Sequence, residues 1–242
     1  MGEAMKRLIL LFDGTWNHDQ DPTRSTNIFR LRELLEEANR EKKKVGRKNK
    51  RGDRSKEIAQ RIYYDEGVGT QFYDNVLGGT FGRGLSENVR QGYRYLAQFY
   101  EPGDEIYILG FSRGAFTARS LAGFLAASGL LTKAKCLSFA WKYYRTAPKR
   151  RYPADKAVLE GLCVPDVRIK FLGVFDTVGS LGIPFGAFRR VSAWINGFHD
   201  TKLGSTIDNA FQALAIDEKR WAYVPAPWAK PDHNANKCVQ QV

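Results

Sequence analysis

Cysteine is scarce in this chain. Its 242 residues include three cysteines, Cys136, Cys163 and Cys238. They are spaced too widely for a zinc knuckle, and an odd number of cysteines argues against a disulfide framework. We therefore expect reduced thiols, no metal site and synthesis in a reducing cytoplasm.

Long apolar runs are missing as well. No stretch approaches the roughly 18 consecutive apolar residues that a membrane-spanning helix needs. The first residues, MGEAMK, lack the apolar segment of a secretory signal. The sequence therefore predicts a cytoplasmic protein as synthesised, and export by a route without a signal peptide stays open.

Acidic residues are fewer than basic ones, and the net charge is +12. The segment from Arg40 to Lys56 contains ten Lys or Arg and only two acidic residues, so it carries eight of these charges. Such a block predicts a solvated, mobile insertion at about residues 40–56. Contact with an anionic membrane surface is the alternative. Binding of nucleic acid is disfavoured because no aromatic residue interrupts the block.

The pattern of apolar residues alternates between strands and helices. It predicts a single α/β domain over residues 1–242, with a mostly parallel central sheet and helices on both faces in three layers. Strands are predicted at 8–12, 61–64, 105–110 and 167–175, with the opening of another at 238–242. Helices are predicted at 28–40, 86–100, 115–128, 134–145, 185–194 and 207–217.

Ser112 lies within a G-x-S-x-G motif, between an apolar strand and a helix of small residues. This order is typical of a nucleophile elbow, in which a strained turn exposes the serine above a parallel sheet. Gly110 and Gly114 would allow the backbone of that turn to pack closely. The sequence therefore predicts an α/β-hydrolase-like fold with Ser112 as the nucleophile and the backbone N–H of Arg113 as an oxyanion donor. A plain structural turn is the alternative.

Two other predicted strands end in an acidic residue at the same edge of the sheet. Asp176 follows the strand at 167–175 and is the candidate acid of a catalytic triad, because it comes after the serine in the chain. Asp13, Gly14 and Thr15 follow the first strand and are candidates for oxyanion or substrate binding. A turn closed by an aspartate is the alternative at both places.

The catalytic base is the difficulty, since the chain contains only His18, His199 and His233. His18 precedes the acid, which the chain order excludes. No strand is predicted before either of the other two, so the base would lie just past Val242. Three explanations stay open: the chain is truncated after Val242, it is inactive, or His199 serves.

Five motifs together resemble a known family. They are Phe12-Asp13-Gly14-Thr15-Trp16-Asn17, Asp65-Glu66-Gly67-Val68-Gly69-Thr70, Gly110-Phe111-Ser112-Arg113-Gly114-Ala115-Phe116-Thr117-Ala118-Arg119, Phe175-Asp176-Thr177-Val178-Gly179-Ser180 and Ala213-Leu214-Ala215-Ile216-Asp217-Glu218. In this order they resemble the α/β-hydrolase domain of the type VI secretion phospholipase effectors and their relatives.

The resemblance implies hydrolysis of lipid esters, with Ser112 as nucleophile, Asp176 as acid and the secretion machinery as a partner. It also implies a base in a loop after a strand that begins like Cys238–Val242. This chain departs from its relatives at Gln212, where they often carry histidine.

A serine esterase or phospholipase without a cofactor is thus the first hypothesis. The second is a hydrolase-like binding module, catalytically inactive, that contacts anionic lipid or a protein partner. Nucleotide binding through the glycine-rich residues Gly78–Gly84 is disfavoured, because the segment does not end in the Gly-Lys-Ser/Thr of a P-loop.

Overall fold

The computed structural model describes residues 5–14, 25–48, 58–67, 80–175, 205–217, 228 and 238–242. The strands are β1 (Lys6–Phe12), β2 (Ala59–Asp65), β3 (Glu105–Phe111), β4 (Leu130–Leu131), β5 (Cys163–Val164), β6 (Ile169–Phe175), β7 (Asn209–Ala213) and β8 (Cys238–Gln241). The helices are α1 (Asn27–Lys48), α2 (Thr80–Phe99), α3 (Arg113–Ser128), α4 (Leu137–Arg145) and α5 (Pro153–Leu162).

Six of these strands form one sheet in the order β2-β1-β3-β6-β7-β8. Every neighbouring pair in it is parallel, whereas β4 and β5 form a separate antiparallel pair. The predicted α/β fold with a parallel central sheet is confirmed. Because all six strands run the same way, their carboxyl ends lie along one edge, where α/β proteins place their functional residues.

Both faces of the sheet are covered, which explains why residues 8–12 of β1 are all apolar. Leu8 and Leu10 belong to the larger core cluster, which also contains apolar residues of α2 and α3. Ile9 and Leu11 point to the other face and pack with Ile28 of α1. The sheet is thus the middle of three layers, and α3 is buried against it.

Helix α1 is longer than predicted. It continues through Lys48 rather than ending near Arg40, so the first half of the basic segment is helical. Glu, Lys and Arg are good helix formers, and no proline interrupts this run. The predicted end of this helix near Arg40 is therefore wrong, whereas the mobility of the insertion stays a prediction, and residues 49–56 lie outside the described part.

A strand replaces the helix predicted at 207–217. Residues 209–213 form β7, which pairs with β6 on one side and β8 on the other. The spacing of apolar residues in so short a segment is compatible with a helix or with a strand. The segment is a strand because it pairs with both of its neighbours in the sheet. This correction matters for the catalytic base, because His233 now follows a core strand. The helix predicted at 185–194 lies outside the described residues, and α5 was not predicted.

Within the described ranges, no helix combines the length and the apolar character needed to cross a bilayer.

Candidate active site

Ser112 is the single residue between strand β3 and helix α3. β3 ends at Phe111, α3 begins at Arg113, and Ser112 between them has φ 54° and ψ −115°. A positive φ is uncommon for a residue with a side chain and costs about 1–3 kcal/mol. The surrounding structure must therefore hold the backbone of Ser112 in a conformation that a serine does not prefer.

Two glycines allow the close packing that holds it. A Cβ at Gly110 would overlap the carbonyl group of Gly114 on the first turn of α3. A Cβ at Gly114 would overlap the carbonyl oxygen of Phe12 at the end of β1 and lie 2.7 Å from that of Asp13. Helix α3 thus packs directly against the backbone of two strands, and both glycines of the motif are needed for this contact.

The ends of three strands meet at Ser112. Its backbone N–H donates to the carbonyl oxygen of Phe175, the last residue of β6, at 3.0 Å. A Cβ built on Gly14, just after β1, would lie 3.5 Å from the Cβ of Ser112. The sequence prediction of a shared edge is confirmed for these described residues. Asp176, one residue beyond Phe175, and Thr15 lie outside the described residues.

Asp13 is fully buried. Its Oδ1 accepts a hydrogen bond from the N–H of Gly14 at 2.7 Å. Its Oδ2 accepts from the hydroxyls of Thr26 at 2.7 Å and Tyr64 at 2.9 Å. The carboxylate therefore joins the loop after β1, the start of α1 and the end of β2. This arrangement favours a positioning role over direct contact with a substrate.

Removal of the Tyr64 hydroxyl is expected to weaken the fold measurably. Tyr64→Phe takes one donor from a buried carboxylate oxygen, so we expect the free energy of unfolding to fall by about 1–3 kcal/mol. The matched control is Tyr107→Phe, whose hydroxyl donates to the partly exposed Glu105 and should change stability by less than about 0.5 kcal/mol. Urea denaturation measures both, and equal effects would contradict the argument.

A narrow gap between packed residues adjoins Asp13 on the α2–α3 side of the sheet. Its polar lining includes Asp65, Asn88, Arg113 and Thr117. Oδ1 of Asp65 accepts from the N–H of Gly67 at 2.8 Å and from Nδ2 of Asn88 at 3.0 Å. Burial raises the pKa of the Asp65 carboxyl, although the Gly67 hydrogen bond opposes the shift. From the sequence, Asp65 is the first residue of one of the family motifs and has no assigned role.

Gln212 occupies a buried position on β7. Its Oε1 accepts from the backbone N–H of Trp228 at 3.3 Å, and the ring of Trp228 lies 5.8 Å from the guanidinium carbon of Arg119 on α3. Burial lowers the pKa of Arg119 to about 10. The amide of Gln212 therefore belongs to the packing between β7 and Trp228.

None of the three histidines lies in the described part of the chain, so no described imidazole faces Ser112. Within the same part, no three His, Cys, Asp or Glu side chains are grouped closely enough to hold a metal ion. The described site therefore consists of a strained serine, the backbone around it and a buried carboxylate.

The fold and the strand–Ser112–helix junction define an α/β protein with a hydrolase-like architecture. Residues 6–242 match the family described as the type VI secretion system (T6SS) phospholipase effector Tle1-like catalytic domain. The chain belongs to this family, as its motifs predicted.

The chain is similar to a yeast protein and to an effector of known structure. The uncharacterised protein YEL023C of Saccharomyces cerevisiae is 30% identical over 241 residues, which cover 89% of this chain and 31% of the yeast protein. The Tle1 effector, solved bound to the VgrG spike of the type VI secretion system, is 17% identical with a TM-score of 0.38, covering 98% of this chain and 49% of that one. The chain thus spans less than half the length of either relative.

Proposed function

We propose that this domain is a serine esterase that hydrolyses carboxylic esters of lipids, with phospholipids as the substrate class. The observation that carries the proposal is the strained backbone of Ser112 at the junction of β3 and α3. The phospholipase effector family to which the chain belongs supports the class of substrate.

The strain at Ser112 is what distinguishes a nucleophile from a serine in an ordinary turn. An ordinary turn has no need for a side chain at φ 54°, and glycine would occupy it at lower cost. Strained residues persist at functional sites because the geometry serves the reaction. A serine between a parallel strand and a helix, with glycines two residues away on each side, has the arrangement of a nucleophile elbow.

Stabilisation of the oxyanion is assigned to backbone N–H groups. Arg113 is the first residue of α3, and the first N–H groups of a helix have no acceptor within it and carry its positive dipole end. We assign the first donor to the N–H of Arg113. The N–H of Gly14 is bonded to Asp13, so the second donor from this loop would be Thr15.

The acid of the triad would be Asp176. The hydrogen bond from Ser112 to Phe175 brings the end of β6 to the serine, and Asp176 is the next residue. Besides His199, two candidates for the base follow from the observed strand order. His233 follows β7, and the family resemblance implies a histidine after β8, whose last residues pair with Gln212 and Leu214 at the same edge of the sheet.

The reaction would proceed in two steps through an acyl-enzyme. In the first, Oγ of Ser112 attacks the ester carbonyl carbon while its proton passes to the base, and the Arg113 N–H stabilises the oxyanion. The C–O bond then breaks, and the leaving alcohol takes the proton from the base. In the second step, water attacks the acyl ester by the same route and releases the fatty acid together with free Ser112.

A fluorophosphonate probe tests the proposal directly. We expect labelling of the wild-type protein at the peptide that contains Ser112, and release of fatty acid from phospholipid vesicles. His233→Ala separates the two candidate bases, because labelling should slow only if His233 serves. Absence of labelling and of fatty-acid release would favour the alternative of an inactive module that binds anionic lipid or a partner.

A further inference from the structure

We propose that the turn between α4 and α5, residues Arg145–Tyr152, docks the domain on an anionic lipid bilayer with the Ser112 edge towards the lipid. This inference rests on the proposed function, since it names the surface that would present the substrate. We call residues Arg145–Tyr152 the basic turn.

Charge is the first argument. From Ile106 to Ala154 the chain contains nine Lys or Arg and no Asp or Glu. Four of the nine lie in the basic turn, which has the sequence RTAPKRRY. The basic turn is therefore a concentration of positive charge, with Asp155 as the next acidic residue in the chain. Anionic lipids attract such sites by about 1 kcal/mol per Lys or Arg.

The shape of the basic turn is fixed by its own hydrogen bonds. The N–H of Arg150 donates to the carbonyl oxygen of Ala147 at 2.7 Å. Arg151 turns inward, and its guanidinium donates to the carbonyl oxygens of Thr146 at 2.9 Å and Tyr144 at 3.0 Å. Arg151 thus supports the turn from within, while Lys149 and Arg150 are exposed to solvent.

An aromatic side chain accompanies these cations. Tyr152 is 72% exposed, which is high for a large ring held between a structured turn and a helix. Tyrosine is favoured at membrane–water interfaces, because its ring enters the apolar boundary while its hydroxyl stays hydrated. Two exposed cations beside an exposed tyrosine form the combination that binds a bilayer surface.

The chain enters the basic turn while running in the direction of Ser112. Helix α4 runs antiparallel to α3, since Ser128 near the end of α3 donates to Ala140 at 3.1 Å. One turn further along α4, Tyr144 packs on Phe124 with ring centroids 5.1 Å apart. The residues after α4 therefore continue towards the start of α3, where Ser112 stands. A bilayer at the basic turn would meet this end of the molecule.

The other basic segment, Arg40–Lys56, is placed differently. Helix α1 begins at the Ser112 edge, where Thr26 bonds to Asp13. Strand β2 begins at the opposite edge, where Ala59 pairs with Lys6. The strand that follows this segment in the chain therefore begins at the edge away from Ser112. A bilayer bound there would face the wrong end of the sheet, so we assign the lipid contact to the basic turn.

Co-flotation with vesicles tests this assignment. Binding is measured with Ser112→Ala as the background, so that the result does not depend on catalysis, using vesicles of phosphatidylcholine alone or mixed equally with phosphatidylglycerol. Lys149→Glu combined with Arg150→Glu should weaken binding to the anionic vesicles about 30-fold or more. Tyr152→Ser should weaken it several-fold, and 0.5 M salt should reduce all binding.

The matched control is Lys43→Glu combined with Lys44→Glu, which makes the same change of charge in the other basic segment. We expect this variant to keep at least half of the affinity and every variant to keep the wild-type melting temperature. Equal losses in the two charge-reversal pairs, unchanged binding after reversal at the basic turn, or displacement of vesicles by an RNA duplex that binds through the same residues would overturn the proposal.

Hydrolysis of a soluble short-chain ester, assayed with Ser112 intact, should be unchanged by Lys149→Glu and Arg150→Glu, so failure of docking and failure of the proposed activity are distinguishable.

Discussion

Alanine at position 114 is expected to unfold the domain or to destabilise it by more than about 4 kcal/mol. The added Cβ would overlap the carbonyl oxygen of Phe12 and lie 2.7 Å from that of Asp13. Both obstacles are backbone atoms at the end of a central strand, so no side chain can rotate to make room. The helix would have to move away from β1, and the contacts that α3 makes with the sheet would be lost.

Gly123→Ala is the matched control, because Gly123 lies in the middle of the same helix. A Cβ there would have its nearest contact with the Tyr144 hydroxyl at 3.6 Å, an ordinary van der Waals distance. Alanine is a better helix former than glycine, so this change should be neutral or stabilise the protein by about 0.5–1 kcal/mol. Thermal and urea unfolding of the two variants measures the difference. Soluble, cooperative unfolding of Gly114→Ala near the wild-type midpoint would contradict the packing described here.

The sequence predicts those strands whose burial requires an unbroken apolar run. β1, β3 and β6 lie in the middle of the sheet with helices on both faces, and their residues are apolar almost throughout. β7 escapes such a prediction because its sequence, NAFQA, carries polar residues at two of five positions. Its pairing with β6 and β8 makes it a strand, and this information lies in distant parts of the chain.

The candidate site divides in the same way. The position of Ser112 follows from local sequence, because the glycines two residues before and after it are required by local backbone packing. The role of Asp13 does not follow from local sequence, since its partners Thr26 and Tyr64 are 13 and 51 residues away in the chain. The sequence alone is equally compatible with a carboxylate that binds substrate and with one that stabilises the fold. Only the three-dimensional arrangement shows that its oxygens face other parts of the fold.

Ser112→Ala is expected to lower ester hydrolysis by about 10⁴-fold or more, because the acyl-enzyme cannot form without the hydroxyl. The fold should be unaffected. The Ser112 side chain makes no capping hydrogen bond to α3, and alanine has the same Cβ in the same backbone conformation. Steady-state hydrolysis of a short-chain ester, together with the melting temperature, measures the two effects. Activity within tenfold of the wild type would exclude Ser112 as the nucleophile.

Ser112→Gly separates the catalytic role from the strain. Glycine adopts φ 54° without steric cost, so the strain of about 1–3 kcal/mol is relieved. Its extra freedom in the unfolded chain offsets about 0.5–1 kcal/mol of that gain. We therefore expect Ser112→Gly to be as inactive as Ser112→Ala but more stable by about 1 kcal/mol, measured by urea denaturation. A side chain kept where glycine is the more stable choice is retained for its chemistry, whereas equal stability of the two variants would remove the strain on which the proposed function depends.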